Sequence, residues 1–508
     1  MLYEHLRYVV RFGGESTEAF QALMGILIGD PASPMLWLLF LADFELEPHP
    51  DDIYLDGERV DHLEQADDMA FMSLSAEGMQ SKLAQVERYC SITFLHVNVI
   101  KTLASVHGPI PDPLPPLSLY GRELTYVDST TYVGMTFTTT QRDIFRDHYH
   151  RKAEKARNAS NATLSLESYT GPLPPSVVLT LYRTHIDPHL TAGCEVALDV
   201  RPNALADLED VQRTYLRRAL NISRRSQVAP LYCETGIWPI AYRRLQLAVK
   251  YLVYILETQP LLVRAALYEQ WHLTTLHQAS SWWGDLLVVA AHLPVPIHIP
   301  CATRPTLETM RSVLEHIPQS LAQHLCEAIM ASRRLPLLQH RIHRASPPHS
   351  APALKVVCDA RPYLYLPQRR QREAVTRLLF SEHPFAVEQL RRAPAPRPIP
   401  RERRVCRFCT DADAIEDEAH MLLRCPAPAL RTRRDEFLHA AITLHPPLRR
   451  LRDRLADEAF LDVLLNTECT LAATATYVAD VLATCETVPL LIVNSDEELR
   501  ALQPRYQL

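Results

Sequence analysis

Apolar residues recur at helical spacing over most of this chain and at strand spacing only near its beginning. Met79, Leu83, Val86 and Cys90 follow a 4-3-4 spacing, the signature of one helix face, and Ser75 stands where an N-cap belongs. Residues 34–44 are apolar on all sides and predict a buried helix, with Ser33 as N-cap and Pro34 as first helical residue. Residues 53–60 predict a hairpin on the two-residue turn Asp56-Gly57. Asp67 and Asp68 sit at a second turn with a strand on either side. Leu95, Val97 and Val99 alternate with His96 and Asn98, the pattern of a half-buried strand. A proline-rich loop over residues 108–116 leads to short strands near Leu124 and at 132–136.

From Tyr149 onward the period is helical. Leu205, Leu208, Val211, Tyr215, Ala219 and Ile222 form one stripe, with Arg213, Arg217 and Arg224 on another side. Residues 294–305 break this region, residues 344–352 read as a linker, and residues 393–400 mark a second break before a cysteine cluster. The remainder, 431–508, is helical with a weak tail. The fold class expected is α+β at the front, a small antiparallel sheet plus helices on one face, followed by a mostly α-helical region.

Composition refines this picture only in places. The 508 residues carry a net charge of -6 with a pI near 6.4, so no global basic field marks a nucleic-acid partner. Lysine occurs only at positions 82, 101, 152, 155, 250 and 355; the other basic residues are arginines, suited to bidentate phosphate contacts. Eleven scattered cysteines and a start without the apolar core of a signal peptide imply a reducing compartment and no disulfide framework. The longest apolar runs are too short to span a bilayer, so no membrane partner is expected.

Four residues carry the clearest metal signal. Cys406, Cys409, His420 and Cys425 follow C-x2-C-x10-H-x4-C. Zinc takes four sulfur or nitrogen ligands in a tetrahedron, and a closed set leaves no position for water, so the site expected is structural. Arg391, Arg392, Arg401, Arg403 and Arg404 precede or abut this cluster. Such arginines serve either as phosphate contacts or as a solvated basic face.

The adjacent carboxylates Asp67 and Asp68 are of the type that hold Mg²⁺, a hard cation that prefers oxygen ligands. An isolated pair is more often a solvated turn, but here the order of features adds information. Gly29 to Pro34 opens a helix, Ala66-Asp67-Asp68 tips a hairpin, Asn98 to Lys101 follows a helix, and Tyr132-Val133-Gly134 comes next. This succession resembles the palm of reverse transcriptases, especially those of non-LTR retrotransposons. The cysteine-histidine set resembles the knuckle downstream of the polymerase in such elements.

The resemblance implies a partial palm over residues 1–140, a helical thumb and connection over 141–343, a linker and arginine-rich segment over 344–404, a zinc knuckle over 405–430 and terminal helices over 431–508. It implies Asp67 and Asp68 as Mg²⁺ ligands and Lys101 near the nucleotide phosphates. Ser33, Pro34, Asn98, Tyr132 and Gly134 would shape the nucleotide and template pocket. RNA template, DNA primer or target and a deoxynucleotide would be the partners, and the nucleus the place of action. Two departures stand out. The family's first metal-binding aspartate and its fingers have no counterpart before Ser33, and Gln65 stands where an aromatic residue is usual. RNA-directed DNA synthesis is therefore expected to be impaired in this chain. Asp30 and Asp43 are candidates for a substitute ligand. The alternative is a non-catalytic nucleic-acid-binding remnant that uses arginines and structural zinc.

Overall fold

Ser75 begins the element around which the front of the protein packs. In the computed structural model, which describes residues 7–21, 25–27, 29–139, 143–343, 358–391 and 398–502, its hydroxyl accepts a hydrogen bond from the Gly78 amide at 3.0 Å and opens the helix Ala76–Thr93. The helix ends at Phe94, whose left-handed φ of 57° closes it through a bond from its amide to Cys90. Val86 and Cys90 pack on Phe44, Leu46, Met69 and Phe71. Leu83, one turn earlier, packs on Leu117, Leu119 and Leu124. The stripe read from the sequence thus serves two small cores rather than one.

The strands do not form one sheet. Among the described residues they pair only two by two, five pairs antiparallel and the pair Leu103–Ala104 with Thr125–Tyr126 parallel. Strands of two to four residues offer too few ladder bonds to recruit a third neighbour, so helix and loop packing holds them. The Asp56-Gly57 turn forms as expected, both residues at positive φ, with Ile53 opposite Val60. Residues 132–136 are not a single strand: Val133 and Gly134, both at positive φ, turn the chain between Ser129–Tyr132 and Met135–Thr138. Leu95, Val97 and Val99 keep their alternating burial but pair with no strand, because the chain leaves the helix at Phe94 directly into loop.

The helix Ser33–Leu41 is shorter than expected, and Ser33 does not cap it. Ala32 already has helical dihedrals, and the Ser33 hydroxyl donates to the Leu27 carbonyl at 2.7 Å. Asp30 instead accepts from the Ala32 amide at 3.0 Å.

The patterning also missed a buried ion network. Lys82 lies on the inner side of the Ser75-capped helix and is 1% exposed; its ammonium bonds Asp52, which Arg59 and the His49 amide also contact. Arg59 reaches on to Asp61 at 3.1 Å. Burial opposes the charge of Asp52, but Lys82, the His49 amide and Arg59 outweigh it and hold the carboxyl below its ordinary value of 3.8. A carboxyl depressed by folding adds stability that is complete above its unfolded pKa and is lost as pH falls through the folded value. Thermal melting of the wild type should therefore weaken steeply below about pH 4. Asp52→Asn should be less stable than wild type at pH 7 and show a flatter acid limb; parallel melts from pH 7 to pH 3 measure both.

The chain divides into two compact units. The first comprises residues 1–145 with 260–269, so its boundary lies five residues beyond the one read from the sequence. The second comprises 146–259 with 270–508 and so holds together the segments that the sequence divides into a helical region, an arginine-rich segment, a cysteine cluster and terminal helices. It is built of paired helices: Arg146–Ser165 on Pro202–Ala219, Ile240–Thr258 on Leu307–Met330, and Arg369–Leu379 on Glu468–Glu486. Leu208, Val211, Tyr215 and Ala219 are buried as the stripe requires. Arg244 is buried at the meeting of several segments, bonding Asp199, the Leu190 and Ala197 carbonyls and the Tyr149 hydroxyl. The expected linker, 344–352, lies outside the described residues. No described helix is long and apolar enough to cross a membrane.

Candidate metal centre

The two halves of the cysteine-histidine set come from different local structures. Val405 bridges Ile415, and the Cys406 amide donates to the Ala414 carbonyl at 2.9 Å, so residues 405–415 double back on themselves. Within that loop the Thr410 amide bonds the Cys406 carbonyl at 3.0 Å, and the Phe408 amide points at Cys406 Sγ at 3.4 Å. This closes Cys406 and Cys409 over one another. His420 and Cys425 flank a π-helical turn, His420–Arg424, fastened by a bond of 2.7 Å from the Cys425 amide to the His420 carbonyl. In an α-helix, residues five apart diverge by about 140°. The wider turn brings them back toward one side.

The ligand atoms of Cys406, Cys409, His420 and Cys425 lie within 4.8 Å of one another, and all four residues are buried. Cys406 Sγ stands 3.7 Å from Cys425 Sγ, and Cys409 Sγ stands 3.5 Å from His420 Nε2. With Zn–S near 2.3 Å and Zn–N near 2.0–2.1 Å, a tetrahedron has edges of roughly 3.8 Å between sulfurs and roughly 3.6 Å between sulfur and nitrogen. These two separations match those edges, and the sulfur–sulfur one is far longer than a disulfide of about 2.05 Å. The cluster can hold a metal ion such as zinc. The donors themselves point the same way. Hydrogen bonds from Cys406 and Cys425 draw the Cys409 thiol far down, while interaction with Cys409 and Cys425, together with burial, pushes Cys406 far up. Burial disfavours a charged His420, yet its bonds to Cys409 and Cys425 raise it to about 9.

A set of buried charges grips this loop from outside. Glu416, fully buried, accepts from the Arg407 side chain through both oxygens, from the Arg407 amide and from the Ala386 amide at 2.8 Å. Arg407 also donates to the carbonyls of Pro384, Cys485 and Val488. Asp417 accepts from the His420 amide at 3.0 Å, Arg434 donates to the Cys425 carbonyl at 2.8 Å, and His383 bonds Glu418. The loop is therefore no freestanding module but an integral part of the second unit. Sequence reasoning missed Arg407. Its only signal was a charged residue placed between two metal-type cysteines.

The described arginines read as phosphate contacts or a basic face each have partners within the chain, Arg401 while remaining exposed. Arg391 bonds Glu388, Arg401 bonds Asp417, Arg403 bonds Asp496 and the Asn494 carbonyl, and Arg404 bonds the Ile399 and Val387 carbonyls. A guanidinium engaged with a carboxylate or carbonyl has fewer free donors for phosphate. Arg392 lies outside the described residues.

In the first unit the acidic turn forms. His62–Gln65 pairs with Asp68–Phe71, Gln65 opposite Asp68, across Ala66 and Asp67. Ala66 takes a φ of 57°. Both carboxylates are exposed. Trp37, on the Ser33–Leu41 helix, donates its indole N–H to the Ala66 carbonyl at 2.7 Å and so pins the helix that starts at Ser33 and Pro34 to this turn. The Tyr132 hydroxyl donates to the Leu63 carbonyl at 3.3 Å, and burial with the charges of Asp68 and Glu64 raises its pKa. Three of the four motifs therefore meet: the Ser33 helix, the acidic turn and the Tyr132-Gly134 hairpin. The fourth does not join them by a bond. Lys101 and Asn98 are exposed in the loop after Phe94, where the Asn98 carbonyl accepts from the Lys101 amide, and no hydrogen bond or ion pair links either to Asp67 or Asp68. Of the substitute ligands, Asp43 accepts from the Tyr89 hydroxyl at 2.9 Å and Asp30 caps the turn before Ser33. Two exposed carboxylates thus do not complete the ligand set of a two-metal site. No protein-family model matches the chain, and no curated protein matches it.

Proposed function

We propose that the protein derives from the reverse transcriptase of a non-LTR retrotransposon and acts on an RNA template paired with a DNA primer or target in the nucleus. RNA-directed DNA synthesis is the activity of its intact relatives. In this chain it is weak, because only Asp67 and Asp68 are free at the turn to hold Mg²⁺. The observation that carries the reading is the bond from Trp37 to Ala66, which ties the helix opened at Ser33 and Pro34 to the acidic turn. Tyr132 on Leu63 adds a third motif to the same face. Ser33, Pro34, Asn98, Tyr132 and Gly134 would seat template and nucleotide, and Lys101 would neutralise phosphate charge. The cysteine-histidine cluster holds zinc as a structural clamp. A grip on nucleic acid by Arg391, Arg401, Arg403 and Arg404 gains no support, since their side chains are engaged within the protein.

Primer extension on an RNA template tests this. Slow, Mg²⁺-dependent incorporation that vanishes in Asp67→Asn is the expected result. Incorporation that survives Asp67→Asn combined with Asp68→Asn, or a chain that neither extends nor binds the RNA–DNA hybrid, overturns it.

A further inference from the structure

A cleft of about 560 Å³ that neither the metal centre nor the acidic turn uses lies along the helix Leu307–Met330. Its other wall is the segment Pro294-Val295-Pro296-Ile297-His298-Ile299-Pro300. Leu293, Val295 and Ile299 each precede a proline, which holds them extended. Burial alternates accordingly: Leu293, Ile297 and Ile299 are inside, while Pro294, Pro296, His298 and Pro300 are exposed. Two bonds fix this wall to the helices behind it. The Ile297 amide donates to the Ala290 carbonyl at 3.0 Å, and the Ser320 hydroxyl donates to the Val295 carbonyl at 2.6 Å.

In an extended chain, the backbone groups of residues two apart point to one side and those between them to the other. Positions 295 and 297 bond inward, so positions 294, 296, 298 and 300 present their backbone outward. Three of these four are prolines and have no N–H to offer. His298 supplies the single outward donor, flanked by the carbonyls of Pro296 and His298. Among the described residues none of these three groups has a hydrogen-bond partner. Proline on a free edge blunts chance pairing, and a single gap in the row leaves one register open. Across the cleft, Ser312, His316 and Gln319 expose side chains that can bond a peptide backbone, while Ile297 and Val313 are apolar and buried. Glu308, exposed and without an ion pair among the described residues, is the only acid that lines the cleft, and no lysine or arginine lines it. From Glu308 to Gln323 the helix rises about 22 Å. That is the length of roughly six or seven extended residues.

We propose that this cleft docks an extended peptide segment of a partner protein, which pairs its backbone with His298 and sets a lysine or arginine beside Glu308. The backbone bonds hold the segment, and alternate side chains meeting Ile297 and Val313 select it. The charge argues for this occupant: a lone carboxylate suits a basic side chain and repels the phosphates of a nucleic acid. The inference is independent of the reverse-transcriptase reading.

The test uses the full, metal-loaded chain and a phage-displayed library of short random peptides. Selection on the wild type should enrich sequences with alternating apolar residues and a lysine or arginine toward one end. A synthetic copy of the most enriched peptide should slow deuterium uptake at residues 297–301. His298→Pro keeps the extended backbone but removes the donor, and should weaken that peptide about tenfold, the effect of one hydrogen bond. Glu308→Lys should weaken it as well and, on reselection, shift the preference from basic to acidic residues. Glu308 lies at an exposed position, so this arm decides the matter even where His298→Pro folds poorly. The proposal is overturned if no sequence pattern is enriched, or if the peptide binds both variants as tightly as the wild type. It is also overturned if the wild type self-associates and His298→Pro makes it monomeric, because a second copy would then be the occupant.

Discussion

Removing the metal from the Cys406–Cys409–His420–Cys425 cluster is expected to lower the melting temperature of the protein by roughly 10 °C. The estimate follows from linkage. A site occupied at a thousandfold excess of free metal over Kd stabilises the folded state by about 4 kcal/mol, and a unit of this size shifts a few degrees per kcal/mol. The direction follows from the chemistry. Without a cation the cluster leaves three cysteines and a histidine buried with no metal to satisfy their donor atoms. Elemental analysis should find one zinc per chain. Cys406→Ser combined with Cys409→Ser should lose the metal and reproduce the melting temperature of chelator-treated wild type. Metal retained in full by that double variant would reject the ligand set. A catalytic zinc would keep one position open for water; four buried protein ligands leave none, so no hydrolytic activity is expected from this centre.

The second large effect is expected at Arg407. Arg407→Met leaves Glu416 buried without its partner and strips donors from the carbonyls of Pro384, Cys485 and Val488. Breaking a buried pair from one side costs about 3–5 kcal/mol. Replacing both members, Arg407→Met with Glu416→Leu, should recover part of that loss, because no lone charge is then left inside. Denaturant titrations of the two single variants and the double variant give the coupling directly. The same residue lies between Cys406 and Cys409, and its amide also bonds Glu416. Arg407→Met should therefore weaken zinc about 10–100-fold, as loss of an outer contact to a metal site commonly does. Unchanged stability and unchanged affinity would mean that the pair is incidental to the centre.

Local pattern accounts for a good part of the front of the fold and for the metal-ligand set. A helix capped by Ser75, the turn at Asp56-Gly57, the acidic turn at Asp67-Asp68, the stripe from Leu208 to Ala219 and the metal-ligand spacing each depend on residues close in the chain. Their physics is short-ranged: a cap needs one hydroxyl and an amide three residues on, and a helix face needs one period. The errors were short-ranged as well. Ser33 looked like a cap until its hydroxyl went to Leu27, and residues 132–136 looked like a strand until Val133 and Gly134 turned.

By itself the sequence determined that a mostly helical chain with an α+β front carries a four-ligand set of fixed spacing, because periodicity and spacing are written locally. Tertiary structure alone decided the partners of charge. Lys82 found Asp52, Arg244 found Asp199, and Arg407 found Glu416 and the far carbonyls. It also set the described arginines of residues 391–404 against carboxylates and carbonyls of the same chain. A charged side chain is written the same way in sequence whether it faces water, phosphate or a buried carboxylate. Only the folding of distant segments around it sets which of the three it meets, since burial without a partner would be too costly to persist.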